Sequence, residues 1–173
     1  MATRKPKIRQ EEGELALLFE ISQALESSME LRDEVQPILD SIVQHTGMMR
    51  GTVTLLNRQT GELGIEAAHG LSPRQMERGR YRTGEGITGK VVQTGEAVIV
   101  PRISDEPSFL DRTGARSGDS PGDVAFLCVP IKIGTEVIGA LSFDRQAEGD
   151  ESLDDDMRLL TIIASMISQD RKS

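Results

Sequence analysis

The stretch VAFLCVPIKIGTEVIGALSFDR, Val124 to Arg145, decides the fold. Two β-prone runs, Phe126 to Ile133 and Val137 to Phe143, flank Gly134-Thr135-Glu136, which is how a hairpin is written in sequence. Strict alternation in the second run puts Val137, Gly139, Leu141 and Phe143 on one face and Ile138, Ala140 and Ser142 on the other. Both faces are largely apolar, so both are expected to be covered, one by helices and the other by loops or a ligand.

Outward from this hairpin the chain supplies the rest of a sheet and its cover. Met49 to Leu56 and Leu63 to Ala68 read as a second hairpin joined by a five-residue connection, in which Gly61 takes the left-handed position. Ser72 before Pro73 caps one short turn. Arg80 to Thr83 reads as no strand. The glycine-dense segment Arg82 to Val92 predicts a tight bend feeding a helix from Ile87 to Gln93, closed by Thr94-Gly95, and Val98 to Val100 is a brief strand. Arg102 to Asp123 is irregular, with Phe109-Leu110 as an anchor; Ala147 to Glu151 is a polar loop.

Three helices remain. Leu15, Leu18, Phe19, Ser22 and Leu25 predict one from Glu14 to Glu26, after a disordered arm over residues 1–13. Val35, Ile38, Leu39, Ile42 and Val43 predict a second, capped by Ser27 or Ser28 and starting near Asp33 or Glu34, which puts Pro37 in its early turns. Met157, Leu160, Ile163, Ala164 and Ile167 line a third, with Asp154, Asp155 and Asp156 at the positive end of its dipole and residues 170–173 left as a tail or the start of a linker. Helices at both chain ends around an antiparallel meander make an α+β domain, with residues 14–169 as its folded part. The repeated strand-helix-strand units of a doubly wound nucleotide fold are absent.

Composition narrows the function classes. A chain of 173 residues suits one domain, and with 37% hydrophobic but only 3% aromatic residues its core must be aliphatic. A net charge of −8 opposes direct nucleic-acid binding. The single cysteine excludes an internal disulfide and a thiolate metal cluster and fits a reducing compartment. No apolar run approaches the roughly 20 residues of a membrane helix, so a cytoplasmic location is expected.

Candidate chemistry is sparse. Gly84-Glu85-Gly86-Ile87-Thr88-Gly89-Lys90 has part of the spacing of a phosphate loop, but Val91 stands where the magnesium-binding hydroxyl belongs. The alternatives are a turn that lets the short helix pack closely and an anion site at that helix's N-terminus. His45 and His69 are too isolated for zinc. Cys128, mid-strand between Leu127 and Val129, reads as a small buried hydrophobe with no base to activate it. The arginines Arg80, Arg82, Arg102, Arg112 and Arg116 either converge over one sheet face as a clamp for a dicarboxylate or pair at the surface with Glu85, Asp105, Glu106 and Asp111. Nothing in the pattern makes this fragment an enzyme.

In order along the chain, LFEISQALESSMELRDEVQPILDSI, Gly51 to Leu56, Tyr81 to Val91, Ile103 to Pro107, Phe126 to Ile131 and Val137 to Leu141 resemble the GAF domain family. More narrowly, Arg80 to Gly86 with Pro101 to Ser104 and Phe109 to Arg112 resembles the amino-terminal sensory domain of NifA-type nitrogen-fixation activators. The resemblance implies a central antiparallel sheet with the terminal helices on one face and a loop-covered pocket on the other. Arg82, Gly84, Glu85, Gly86, Arg102, Phe109, Arg112, Phe126 and Cys128 are then candidates to hold a ligand, 2-oxoglutarate being one possible effector. Leu15, Leu18, Phe19, Leu160, Ile163 and Ile167 are candidates for a homodimer interface. In such activators the domain regulates an AAA+ ATPase module that precedes a helix-turn-helix DNA-binding domain, in response to a metabolite, a P-II-type signalling protein or an inhibitory flavoprotein. The alternative is a ligand-free interaction or dimerisation module of another signalling protein.

Overall fold

The computed structural model describes residues 12–21, 31–116, 124–146 and 153–172. Expectations for the arm over residues 1–11, the capping serines, Leu25 and the polar loop over residues 147–151 fall outside these residues. The elements are α1 (residues 12–21), α2 (Leu31–Thr46), β1 (Arg50–Asn57), β2 (Glu62–His69), α3 (Pro73–Arg78), β3 (Arg80–Arg82), α4 (Gly86–Thr94), β4 (Val98–Val100), β5 (Val124–Ile133), β6 (Glu136–Gln146) and α5 (Leu153–Lys172). A 3₁₀ turn at Ile103–Asp105 follows β4.

The six strands form one antiparallel sheet in the order β3-β2-β1-β6-β5-β4. The β5–β6 hairpin closes through Gly134 and Thr135, with Ile133 opposite Glu136. Glu136 therefore belongs to the strand rather than to the turn. Alternation along β5 sends Ala125, Leu127, Val129 and Ile131 into a core under α1, α2 and α5, and Val124, Phe126 and Cys128 into a second core under α4.

Strict alternation fails at two points. Lys132 pairs with Val137 while Ile131 pairs with Gly139, so Ile138 is a bulge. Val137 consequently joins the α4 side and Ile138 the helical side, the reverse of the sequence expectation that put Val137 with Leu141 and Phe143. A second bulge, at Glu66 between Ala67 and Ile65, turns Ile65 and Leu63 onto the α4 side. β3 is a further correction: Arg80–Arg82 is a three-residue edge strand on β2, too short and too arginine-rich to signal itself.

Helix boundaries also move. Glu12 and Gly13 are already helical, and α5 continues through Lys172. α2 includes Leu31, ahead of the expected start near Asp33 or Glu34, and Pro37 lies inside the helix. α1 carries two apolar stripes, and Leu17 and Ile21 are the buried one; Leu15 and Phe19 are 69% and 65% exposed and Leu18 sits at the seam. On α5 the interface candidates Leu160, Ile163 and Ile167 are buried against the sheet, and Ile162 is the large apolar residue left outside. Three buried positions cannot also be a docking surface.

At the start of α5 the Asp156 carboxylate is buried, with Oδ2 2.6 Å from Arg145 Nε but outside hydrogen-bond alignment. Burial pushes its pKa up to about 6; Arg145 opposes this, while Asp155 and Glu14 add to it. An aspartate whose folded pKa exceeds its unfolded value stabilises the fold below the unfolded pKa and loses that contribution as pH rises through the folded one. Asp156→Asn should therefore leave stability near pH 4 little changed and raise it by about 2 kcal/mol at pH 7.5, read as a flatter dependence of Tm on pH. Gly139→Ala should cost about 3 kcal/mol, roughly 8 °C in Tm, because a Cβ there runs into the Thr54 carbonyl oxygen of the paired strand.

Candidate functional site

The site lies on the α4 side of the sheet. Thr52 and Thr54 of β1 and Ser142 and Asp144 of β6 face it, since neighbouring antiparallel strands place paired residues on one face. Phe126 of β5, Ile87 and Thr88 of α4, Ile65 and Tyr81 form the walls, and Phe109, Leu110, Thr113 and Arg116 form the roof. The enclosed space is about 30 Å³ when measured as the volume open to the centre of a water molecule. That is room for about two waters.

Charge is concentrated at the base. Asp144 is 1% exposed and receives Arg50 Nε at 2.8 Å and Arg116 at 2.7 Å. Arg116 also reaches Asp111 at 2.8 Å, and its guanidinium lies over the rings of Phe109 and Phe126. Burial lowers the Arg116 pKa, but the Asp144 and Asp111 carboxylates outweigh it and hold the group above its ordinary value. Arg50 also donates to the Ala115 carbonyl at 3.2 Å, tying the roof to β1. The Thr52 and Ser142 hydroxyls share a hydrogen bond of 2.6 Å on the cavity floor.

On the outer side of the roof a third arginine does different work. Arg112 pairs with Glu85 at 2.7 Å, donates to the Arg80 carbonyl and lies 5.0 Å from the Tyr81 ring centroid. Glu85 precedes α4, and its carboxylate also accepts from the Arg82 backbone N–H. The hydrogen bond from Arg112, then that from Arg82, hold the Glu85 pKa below the usual carboxylate range. A carboxylate already stands at the start of α4, which weakens the anion-site alternative for that terminus. The glycine bend is a packing device: a Cβ on Gly89 would meet the Arg82 carbonyl oxygen at 2.6 Å, and Gly84 donates to the Gly89 carbonyl.

Of the residues singled out from sequence, Phe109 and Phe126 line the cavity, their rings meeting edge to face at 5.1 Å. Gly86 is buried beneath Leu110, Gly84 and Glu85 shape the bend, and Arg82, Arg102 and Arg112 are exposed outside the cavity. No clamp of those three arginines forms in the cavity. Cys128 is fully buried in the second core behind the lining residues Thr88 and Ser142, and burial pushes its thiol up to about 12, partly offset by Thr88. Arg50, Thr52, Ser142 and Asp144 were not among the expected site residues. Among the described residues no group of His, Cys, Asp and Glu could hold a metal ion, and no helix is long and apolar enough to cross a membrane.

The family model described as GAF domain matches residues 30–170. Nitrogen fixation protein VnfA of Azotobacter vinelandii is 40% identical over 90% of this chain and 30% of its own length. The Nif-specific regulatory protein of Herbaspirillum seropedicae is 38% identical over 90% of this chain and 29% of its own length. The chain thus spans about 30% of the length of these curated relatives. Among solved structures, the nlh2 GAF domain of A. aeolicus in an inactive state superimposes with a TM-score of 0.83 at 23% identity, covering 94% of this chain and 98% of that one. That likeness carries the fold.

Burial and the raised pKa leave Cys128 little thiolate near neutral pH. Iodoacetamide should modify it at least about 100-fold more slowly in the folded chain than after denaturation, followed by mass spectrometry at pH 8.

Proposed function

Because the chain belongs to the GAF domain family, we propose that it is the regulatory sensory domain of an enhancer-binding activator of nitrogen-fixation genes, controlling an AAA+ ATPase module of the same polypeptide in the cytoplasm. The observation that supports this reading is the 40% identity to VnfA across nine-tenths of this chain, in a stretch that makes up 30% of that protein. A regulatory module acts by biasing a neighbour, which requires that its input distinguish two states of the domain.

The input is either a small metabolite, 2-oxoglutarate among the candidates, or a signalling protein such as a P-II-type protein or an inhibitory flavoprotein. The narrow cavity favours a protein input unless the roof moves. Exposed Leu15 and Phe19 on α1 and Ile162 on α5 offer apolar surface for a homodimer that would report the input to the ATPase module.

Two measurements separate these versions. Removing the domain from the full-length activator should change output from a nitrogen-fixation promoter by about tenfold and abolish its response to nitrogen status; unchanged output and response overturn the regulatory assignment. Calorimetry of the 173-residue chain with 2-oxoglutarate tests the direct version. Heat that saturates supports it, and neither heat nor a Tm shift removes it in favour of a protein input.

A further inference from the structure

Arg116 belongs to the roof but is held as a ligand would be. Its side chain is 13% exposed, and its guanidinium carbon lies 4.9 Å and 5.5 Å from the ring centroids of Phe109 and Phe126. Those rings are inclined at 75°, and a carboxylate with 1% exposure, Asp144, closes the base. Two aromatic faces set at an angle above a buried carboxylate are the chemistry that recognises a delocalised cation.

The fit of the tethered group is incomplete. Arg116 Nε is buried without a hydrogen-bond partner, a cost that a molecule free to rotate in the same box need not carry. The partners of Arg116 also survive its departure. Asp144 keeps Arg50 from β1, directly opposite in the sheet, and Asp111, 29% exposed, can turn to water. The Thr52 and Ser142 hydroxyls stand beside Asp144 as further acceptors.

We propose that this cavity is a binding site for a small molecule bearing a guanidinium or primary ammonium group, and that Arg116 is its built-in competitor. An arriving cation takes the place between Phe109 and Phe126, Arg116 swings out, and the roof from Phe109 to Arg116 lifts about its outer attachments, the Arg112–Glu85 pair and the Tyr81 hydroxyl on the Leu110 carbonyl. Exchange of one cation for another keeps the charge at Asp144 balanced, whereas a ligand carboxylate would add a second negative charge beside it. The regulatory use of this exchange rests on the reading above; its chemistry does not.

A single thiol on the cavity wall tests it. With Ser142→Cys in a Cys128→Ser background, alkylation by iodoacetamide should be slow and should accelerate about tenfold in about 10 mM methylguanidinium, but not in equal sodium chloride or sodium acetate. In the otherwise native chain, Arg116→Ala should lower Tm, with methylguanidinium restoring several degrees in a saturable way. Arg116→Lys, which keeps the charge without the plane, should recover less with the same probe. Absence of both the acceleration and the saturable recovery overturns the proposal, as does acceleration by acetate in place of methylguanidinium. The alkylation arm needs no substitution at Arg116. Neither readout involves promoter output, so this proposal and the regulatory assignment fail separately.

Discussion

A carboxylate sealed into the middle of a sheet needs partners for its oxygens, and Asp144 has two guanidiniums. Arg50 comes from the opposite position on β1 and Arg116 from the roof, 28 residues away along the chain. The requirement to keep Asp144 compensated therefore joins the two central strands to the loop that closes the cavity. It also explains the polar floor. Thr52 and Ser142 bond to each other beside Asp144, so an otherwise aliphatic sheet keeps a polar patch at its centre.

The other face has the opposite character. Leu17 and Ile21 of α1, Val35, Ile38, Leu39 and Ile42 of α2, and Leu160, Ile163 and Ile167 of α5 meet the inward residues of β1, β5 and β6, and the buried Asp156 at the start of α5 pairs with Arg145. The fold's stability rests there. The cavity face is freer to carry a charged cluster, an unpartnered N–H and a closely covered roof. The bulges at Ile138 and Glu66 connect the two faces by deciding which aliphatic residues go to which side.

Most of the architecture was legible in the sequence because it follows from local patterns. The β5–β6 turn, the glycine bend before α4 and the Ser72-Pro73 start of α3 all formed where turn and cap chemistry placed them, the last with a full capping box through Gln75. The bulges were not legible, because one extra residue in a strand leaves composition unchanged while reversing alternation beyond it. The α1 stripe was ambiguous for a related reason: Leu15, Leu18 and Phe19 compete with Leu17 and Ile21, and only packing selects between them. Of the cavity lining, the aromatic pair Phe109 and Phe126 was singled out from the sequence. The charged centre was not, since pairing of Arg50, Arg116 and Asp144 depends on long-range register. A signal did exist: Thr52 and Thr54 on one strand and Ser142 and Asp144 on another place polar groups at period two within runs otherwise fit for a core.

The two borders of the sheet share a trait. β3 is three residues long, with exposed arginines on either side of Tyr81, and β4 covers β5 only from Phe126 to Cys128. Two residues beyond that cover stands Pro130, which has no N–H to offer, and exposed Lys132 lies two further on. A nascent chain crowded among its siblings on a polysome would thus find no tidy ribbon on which to stack, so growth into fibrils is discouraged at both margins without any help from a partner.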